Sequence, residues 1–393
     1  MPADYPLATV GDVVDVVDEL YDPAWAQPWD AVGLVCGDPA APVRRVLLAV
    51  DPVTAVADEA IHWGAELLLT HHPLLLRPVH GVAAATPKGG VLHRLLTSSP
   101  PYGVALHVAH TNADSADPGV SDALARVLGL YNLRPLDPAP ADPLDKLVTF
   151  VPRQDAQRVL DALATAGAGA IGDYSRCAWI TDGTGTFLPG AGARPVIGAV
   201  GQVERVPETR LEMVLPRGRR SAVVDALRSA HPYEEPAYDV TEVADLPGGR
   251  GTGRIGELEE SVALSAFVAR AARALPATAA GLRVAGDPDA MVGRVAVCGG
   301  AGDSLLDAAR SSGADVYLTA DLRHHPASES REHGLPALVD AAHWATEWPW
   351  LQEAAVLLAE RLSARGTTVE TRVSRIVTDP WTAYAASDTR SSS

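Results

Sequence analysis

Residues 43–70 read VRRVLLAVDPVTAVADEAIHWGAELLLT, and residues 292–319 read VGRVAVCGGAGDSLLDAARSSGADVYLT. The two align without a gap, Val43 on Val292 and Gly64 on Gly313. Each opens on an apolar run of buried-strand length, LLAV or VAVC. Apolar residues at helical spacing follow: Ala55, Ala57, Ala60 and Ile61 in the first, Leu305, Leu306, Ala308 and Ala309 in the second. Gly64 and Gly313 are expected helix stops, and LLLT or VYLT is the next strand. This self-similarity marks two copies of one α/β unit, related by duplication. Strands alternating with helices predict mainly parallel sheets between helices, with functional residues beyond the carboxyl ends of the strands.

A second repeat lies between the copies. LVTFVPRQDAQRVLDALATAG (147–167) matches LEMVLPRGRRSAVVDALRSAH (211–231), and each predicts a strand followed by a helix. CAWITDG follows the first helix and PAYDVTEV the second, which gives a ferredoxin-like α+β plan. The Pro/Gly-rich stretches LDPAPADP and DLPGGRGTGR bound it. The fold class is therefore α/β with an inserted ferredoxin-like domain. The expected division is 1–140 for the first α/β half, 141–250 for the insert, 251–385 for the second half and 386–393 for a disordered tail.

The length of 393 residues suits two or three domains with full cores. With 32 Lys and Arg against 49 Asp and Glu, the net charge is −17. Such an excess argues against a nucleic-acid surface, which needs clustered cations. Cys36, Cys177 and Cys298 show no CxxC spacing, so neither a disulfide scaffold nor a thiolate zinc site is expected. The first residues, MPADYPLATVGDVVDVVDEL, lack the basic and apolar regions of a signal peptide. No run approaches a membrane span. The expectation is a soluble, acidic, cytoplasmic protein that binds neither membrane nor nucleic acid.

The chemistry sits in histidines and carboxylates. His71-His72-Pro73 follows the strand LLLT, while His324-His325-Pro326 follows VYLT after the four residues ADLR. HTNAD (110–114) and HWATE (343–347) are both His-x-x-x-acid. Histidine and carboxylate suit Zn, Mn, Fe or Co. Neighbouring side chains diverge, so His71 and His72 could serve two adjacent metals, one each. His343 and Glu347 would share one face of a helix. Glu347 has two oxygens and could bridge two ions, and Asp114 would add a terminal carboxylate. These five residues make a minimal dinuclear shell. ADLR displaces His324 and His325, which are expected beside the site or against substrate. Together with His110 they are the candidates for a general acid or base. His62, His80, His93, His107 and His333 have no supporting pattern. GGAGDS (299–304) predicts a tight turn with a helix cap at Asp303 or Ser304 rather than a phosphate loop. Trp29-Asp30 predicts a packing corner whose acid could support a ligand histidine.

Six segments resemble the type 2 homologues of GTP cyclohydrolase I. They are WDAVGLVCGD (29–38), GAELLLTHHPLLL (64–76), HTNADSADPGVSDALA (110–125), HPYEEPAYDV (231–240), GADVYLTADLRHH (313–325) and DAAHWATE (340–347). The resemblance spans nearly the whole chain. It implies metal ligands at His71, His72, Asp114, His343 and Glu347, with Glu347 bridging two divalent ions. It also implies that His110 is not a ligand, that the insert is a PII-like domain and that the chain forms a toroidal homohexamer. Ala31 stands where Asn is more usual and Ala320 where Gly is expected; both bear on substrate preference more than on metal. The implied function is a dinuclear metal-dependent hydrolase in which an activated water attacks GTP, another nucleotide or a related small molecule. The alternative is a non-catalytic metal-handling or small-molecule-sensing regulatory protein.

Overall fold

The computed structural model describes residues 7–98, 101–244, 247–335 and 337–385; the tail expected at 386–393 lies outside them. Two compact units form: Met1–Ala139 with Gly249–Ser393, and Pro140–Gly248.

The first unit holds two large sheets. One has the strand order Glu370–Val373, Arg45–Ala49, Leu67–Thr70, Ala105–Val108, Gly33–Cys36. The first four strands run parallel and the last antiparallel. Period-2 alternation divides the residues of its central strands between two cores. Val46, Leu48, Leu67 and Leu69 face the helices Val10–Leu20 and His343–Ala364. Leu47, Ala49, Leu68 and Leu106 face Thr54–Trp63 and Pro87–Thr97. Both faces are covered, which is why Leu67, Leu68 and Leu69 are apolar in succession. Gly64 sits at φ +74° and ends Thr54–Trp63, because only glycine takes that left-handed cap without a Cβ penalty.

The other sheet has the order Arg283–Ala285, Leu338–Ala341, Val316–Ala320, Met291–Ala301, Pro247–Ala263, Tyr131–Pro140. Its three strands Met291–Ala301, Val316–Ala320 and Leu338–Ala341 are parallel. Arg283–Ala285 is antiparallel to Leu338–Ala341, and Pro247–Ala263 is antiparallel to Met291–Ala301. The expectation of mainly parallel sheets is corrected here: this sheet is mixed. The repeated sequence covers only the central strands, whose crossover helices force parallel pairing. The flanking strands come from segments outside the repeat.

Asp303 and Ser304 do not cap a helix. The turn Asp303–Leu305 begins after Gly302 without a side-chain cap, and Asp303 instead accepts from the backbone and guanidinium of Arg323. A buried ion pair joins the two parts of this unit. Arg254 is 1% exposed and contacts Asp122 at 2.7 Å, while its other N–H groups donate to the carbonyls of Gly251, Gly253 and Ala116. Among the described residues no helix is long and apolar enough to cross a membrane.

The second unit has the element order β-α-β-β-α-β. Its antiparallel sheet is ordered Tyr238–Glu242, Leu144–Pro152, Glu204–Pro216, Trp179–Phe187. Leu147, Val151, Leu211, Met213 and Leu215 pack under the helices Ala156–Thr165 and Arg220–Ala230 through Val159, Leu163, Val223 and Leu227.

Candidate metal centre

The strand Leu67–Thr70 delivers the first histidines. Beyond Thr70 the backbone still follows the parallel neighbour, since His71 N donates to Ala49 O at 3.1 Å and His72 N to Val50 O at 2.8 Å. His71 is fully buried and its Nδ1 lies 3.0 Å from the Ala109 carbonyl. A carbonyl only accepts, so Nδ1 carries the proton and Nε2 the lone pair. His72 Nδ1 contacts Asp51 Oδ1 at 2.7 Å.

The second half supplies its ligand candidates from the first turn of His343–Ala364. His343 and Glu347 stand four residues apart, on one face of that helix. His343 Nδ1 contacts Asp321 Oδ2 at 2.7 Å. Glu347 is 3% exposed. Its Oε1 lies 2.9 Å from His343 Nε2 and 3.5 Å from His71 Nε2, and its Oε2 lies 3.1 Å from His72 Nε2. Asp114, from the short helix Thr111–Ser115, reaches within 3.7 Å of His71 Nε2.

His110 completes the ring of imidazoles. Its Nδ1 contacts Asp30 Oδ1 at 2.8 Å, and Asp30 Oδ2 accepts from Thr111 N at 3.0 Å. Burial would raise the Asp30 carboxyl, but the hydrogen bonds from His110 and Thr111 hold it well below the carboxylate range. The ligand atoms of His71, His72 and His110 lie within 4.8 Å of one another, as do those of His72, His343 and Glu347. His110 is thus placed as closely as the residues the resemblance names. Trp29 is not a packing corner: it is 59% exposed and sets its ring edge-on to His110 at 6.0 Å.

The electrostatics demand positive charge. Burial alone would lower the His72 pKa, but the Glu347 carboxylate and the Asp51 hydrogen bond lift it to about 11. His343 rises to about 10 for the same reasons, with Asp321 in the place of Asp51. Burial would raise Glu347, yet His72, His343 and His71 hold it well below its ordinary range. Two buried atoms in the cluster, His71 Nε2 and Glu347 Oε2, make no hydrogen bond. A set of imidazole nitrogens oriented through their far side, with orphaned lone pairs at His71 Nε2 and the buried Glu347 carboxylate, fits a divalent cation.

The glycines of GGAGDS make room for this arrangement. Gly300 has φ +69°, and a Cβ there would stand 2.5 Å from Glu347 Oε1 and 3.1 Å from His343 Nε2.

His324 and His325 take another position. Both are exposed at the start of the helix His324–Glu332 and meet edge to face with ring centroids 5.2 Å apart. Among the described residues no hydrogen bond, ion pair or ring contact links either to the cluster. Sequence reasoning missed Asp51 and Asp321. Asp321 directly follows a strand of the repeat and Asp51 stands two residues past one, and in the gapless alignment Asp321 falls on His72.

Histidines held through Nδ1 and aimed through Nε2 at a shared glutamate define a protein with a candidate metal centre on an α/β scaffold. The chain belongs to the DUF34/NIF3 (NGG1p interacting factor 3) family, whose model matches residues 8–380. A Mycobacterium tuberculosis relative named GTP cyclohydrolase 1 type 2 homolog is 53% identical over 373 residues, covering 95% of this chain and 96% of its own. A Streptomyces coelicolor relative of the same name is 40% identical over 383 residues, covering 98% and 97%. Among solved structures, a Bacillus cereus protein related to NIF3 matches with a TM-score of 0.80 at 36% identity, covering 96% of this chain and 99% of that one.

Proposed function

We propose that this chain is a divalent-metal-dependent hydrolase, similar to a type 2 GTP cyclohydrolase, acting on a nucleotide or a related small molecule. One observation carries the metal half of this reading. His72 Nε2 and His343 Nε2 face each other at 3.2 Å while both Nδ1 atoms are committed to carboxylates. Two lone pairs so close need a positive species beside them. A proton serves the metal-free chain, and metal binding displaces it.

His71, His72, Asp114, His343 and Glu347 would hold two ions, of the Zn, Mn, Fe or Co class, with Glu347 shared between them. Bound divalent ions supply Lewis acidity and bring the pKa of a water towards about 7. The chain's own work is orientation and proton movement. Asp51, Asp321 and Asp30 fix the rings of His72, His343 and His110. His110 keeps Nε2 free to accept a proton from an attacking water and return it to a leaving group. A cavity of about 570 Å³ reaches His72 and His343 and is walled by the exposed aromatics Trp381 and Tyr384. That volume suits a nucleotide-sized molecule. The choice of GTP leans on the printed names of the relatives.

The same reading takes the two sheets as duplicated halves of one metal-site domain, divided as 1–140 and 251–385. The matching strand-helix-strand order in each supports it. It takes 141–250 as a PII-like insert, supported by the β-α-β-β-α-β order. It takes the assembly as a homohexamer, which light scattering would test.

The deciding experiment is metal content per chain on protein purified without chelator, paired with turnover of GTP and other nucleotides. Two metals and a hydrolysed product are expected, and Glu347→Ala should lose both. Full metal occupancy in that variant would overturn the shared-ligand assignment. Metal without turnover on any nucleotide would move the reading to metal handling or sensing.

A further inference from the structure

The sheet of the inserted unit has two unlike faces. One carries the core under the helices. The other follows from the register: Arg210 pairs with Phe150 and Thr181, and Glu208 with Pro152 and Gly183. Directly opposed residues share a face. Phe150, Glu208, Arg210 and Gly183 therefore lie on the side away from Leu211 and Met213. A side chain there should meet solvent, yet Glu208 is only 8% exposed.

Tyr233 and the strand at Gly185 cover it, beside a cavity of about 580 Å³. Phe150, Phe187, Tyr233 and Glu208 line this cavity, with Val196 and Ile197 from the connection between Phe187 and Glu204 at its rim. Tyr233 Oη donates to Glu208 Oε1 at 2.8 Å, and no cationic side chain pairs with this carboxylate among the described residues. Of the other charges at the cavity, Arg210 and Asp182 are paired, Glu234 accepts from Arg194 N at 3.1 Å, and Glu235 adds a further carboxylate. Arg210 pairs with Glu212 at 2.8 Å and lies over the Phe150 ring, and Asp182 pairs with Arg153 at 2.9 Å. A buried carboxylate without a cation is unfavourable.

Two strand glycines shape this space. A Cβ on Gly185 would stand 1.9 Å from Glu208 Oε2, so the carboxylate fills the room a side chain would take. A Cβ on Gly183 would meet nothing within 4 Å, so its missing side chain is part of the cavity. Glycine inside a strand weakens it and marks close approach of another group.

We infer that this cavity binds a small organic cation, with its ammonium or amidinium group against Glu208 and its apolar body among Phe150, Phe187, Val196 and Ile197. Aromatic side chains beside an unpaired carboxylate favour a cation on two separate grounds, ring quadrupole and charge. The volume suits a ligand of drug-fragment size. Nothing in this inference depends on the metal reading.

The test is calorimetric titration of the full-length protein with benzylammonium, beside benzyl alcohol and phenylacetate as neutral and anionic matches. Benzylammonium is expected to bind once per chain, about tenfold or more tighter than either match. Glu208→Gln should weaken it by about tenfold or more, and Gly183→Val, which fills the cavity, should abolish it. Metal content and circular dichroism should stay unchanged in both variants, which separates a failure here from a failure of the metal centre. Equal binding of the three probes, no saturable binding at millimolar concentration, or binding indifferent to both substitutions would each overturn the proposal. So would hydrogen-exchange protection of residues 181–187 that vanishes on dilution to monomer, because a second copy would then be the occupant.

Discussion

His72 and His343 meet Nε2 to Nε2 at 3.2 Å although 271 residues separate them in the chain. Each is oriented by an acid from its own part of the chain, Asp51 for the first and Asp321 for the second. The two imidazoles thus reach the shared Glu347 already aimed.

Asp321→Asn tests that aiming. Asp321 has φ +55°, a conformation asparagine tolerates, so the backbone should survive. Its amide holds the His343 ring less firmly than a carboxylate. Metal affinity should fall by roughly 10–100-fold, read by chelator competition, with thermal stability of the metal-free chain unchanged. Unaltered affinity would remove Asp321 from the support of the centre.

Gly300→Ala should damage the centre through space. The left-handed backbone alone costs about 1–2 kcal/mol, and the new Cβ would press on Glu347 Oε1 at 2.5 Å. Gly281→Ala is the control, since Gly281 has φ +60° with nothing within 4 Å of the added carbon. Both variants should melt lower, but only Gly300→Ala should also lose metal.

Arg254→Met should be among the most destabilising substitutions. It leaves Asp122 buried without its cation, for which a loss of about 3–5 kcal/mol is expected in urea unfolding. Adding Asp122→Asn should recover part of the loss, because the stranded charge is then gone. Equal stability of the single and double variants would contradict this.

Acid should weaken the fold through His107. Burial in the strand Ala105–Val108 holds its pKa down to about 4, against 6.5 for an unburied ring. Below pH 6.5 the unfolded chain takes up a proton that the folded chain refuses. Stability from the neutral ring is therefore complete above pH 6.5 and is lost as the pH falls towards 4, by about 3 kcal/mol at most. The Asp18 carboxyl, 3.5 Å away and raised by burial, opposes this at the acid end. Unfolding of wild type and His107→Gln from pH 7 to pH 4 should converge if the ring is the cause.

Much of this cluster is legible in the sequence. The repeat located both strand ends, and the His-x-x-x-acid spacing picked out His343 with Glu347 and His110 with Asp114. Asp30 is readable as a possible support for a ligand histidine because it is an acid just before an apolar run. Asp51 and Asp321 are not, because a single acid after a strand looks like any turn residue. Tandem histidines at 324 and 325 drew attention by type, while the geometry depends on what stands right at the strand end, and that is Asp321. The antiparallel edge strands were hidden for a similar reason: periodicity reports burial, not direction. His110 shows the limit of pattern in the other direction, since no spacing says that its ring lies 5.1 Å from that of His71.

The cluster draws His71, His72 and Asp114 from before the inserted unit and His343 and Glu347 from long after it. On the ribosome the first three emerge early and must wait while the insert and most of the remaining chain are made. A nascent chain therefore exposes the histidine pair before the glutamate it will face exists. The cluster comes together only in the finished polypeptide, and truncation between residues 72 and 347 leaves a chain that has the histidine pair but not the glutamate it faces.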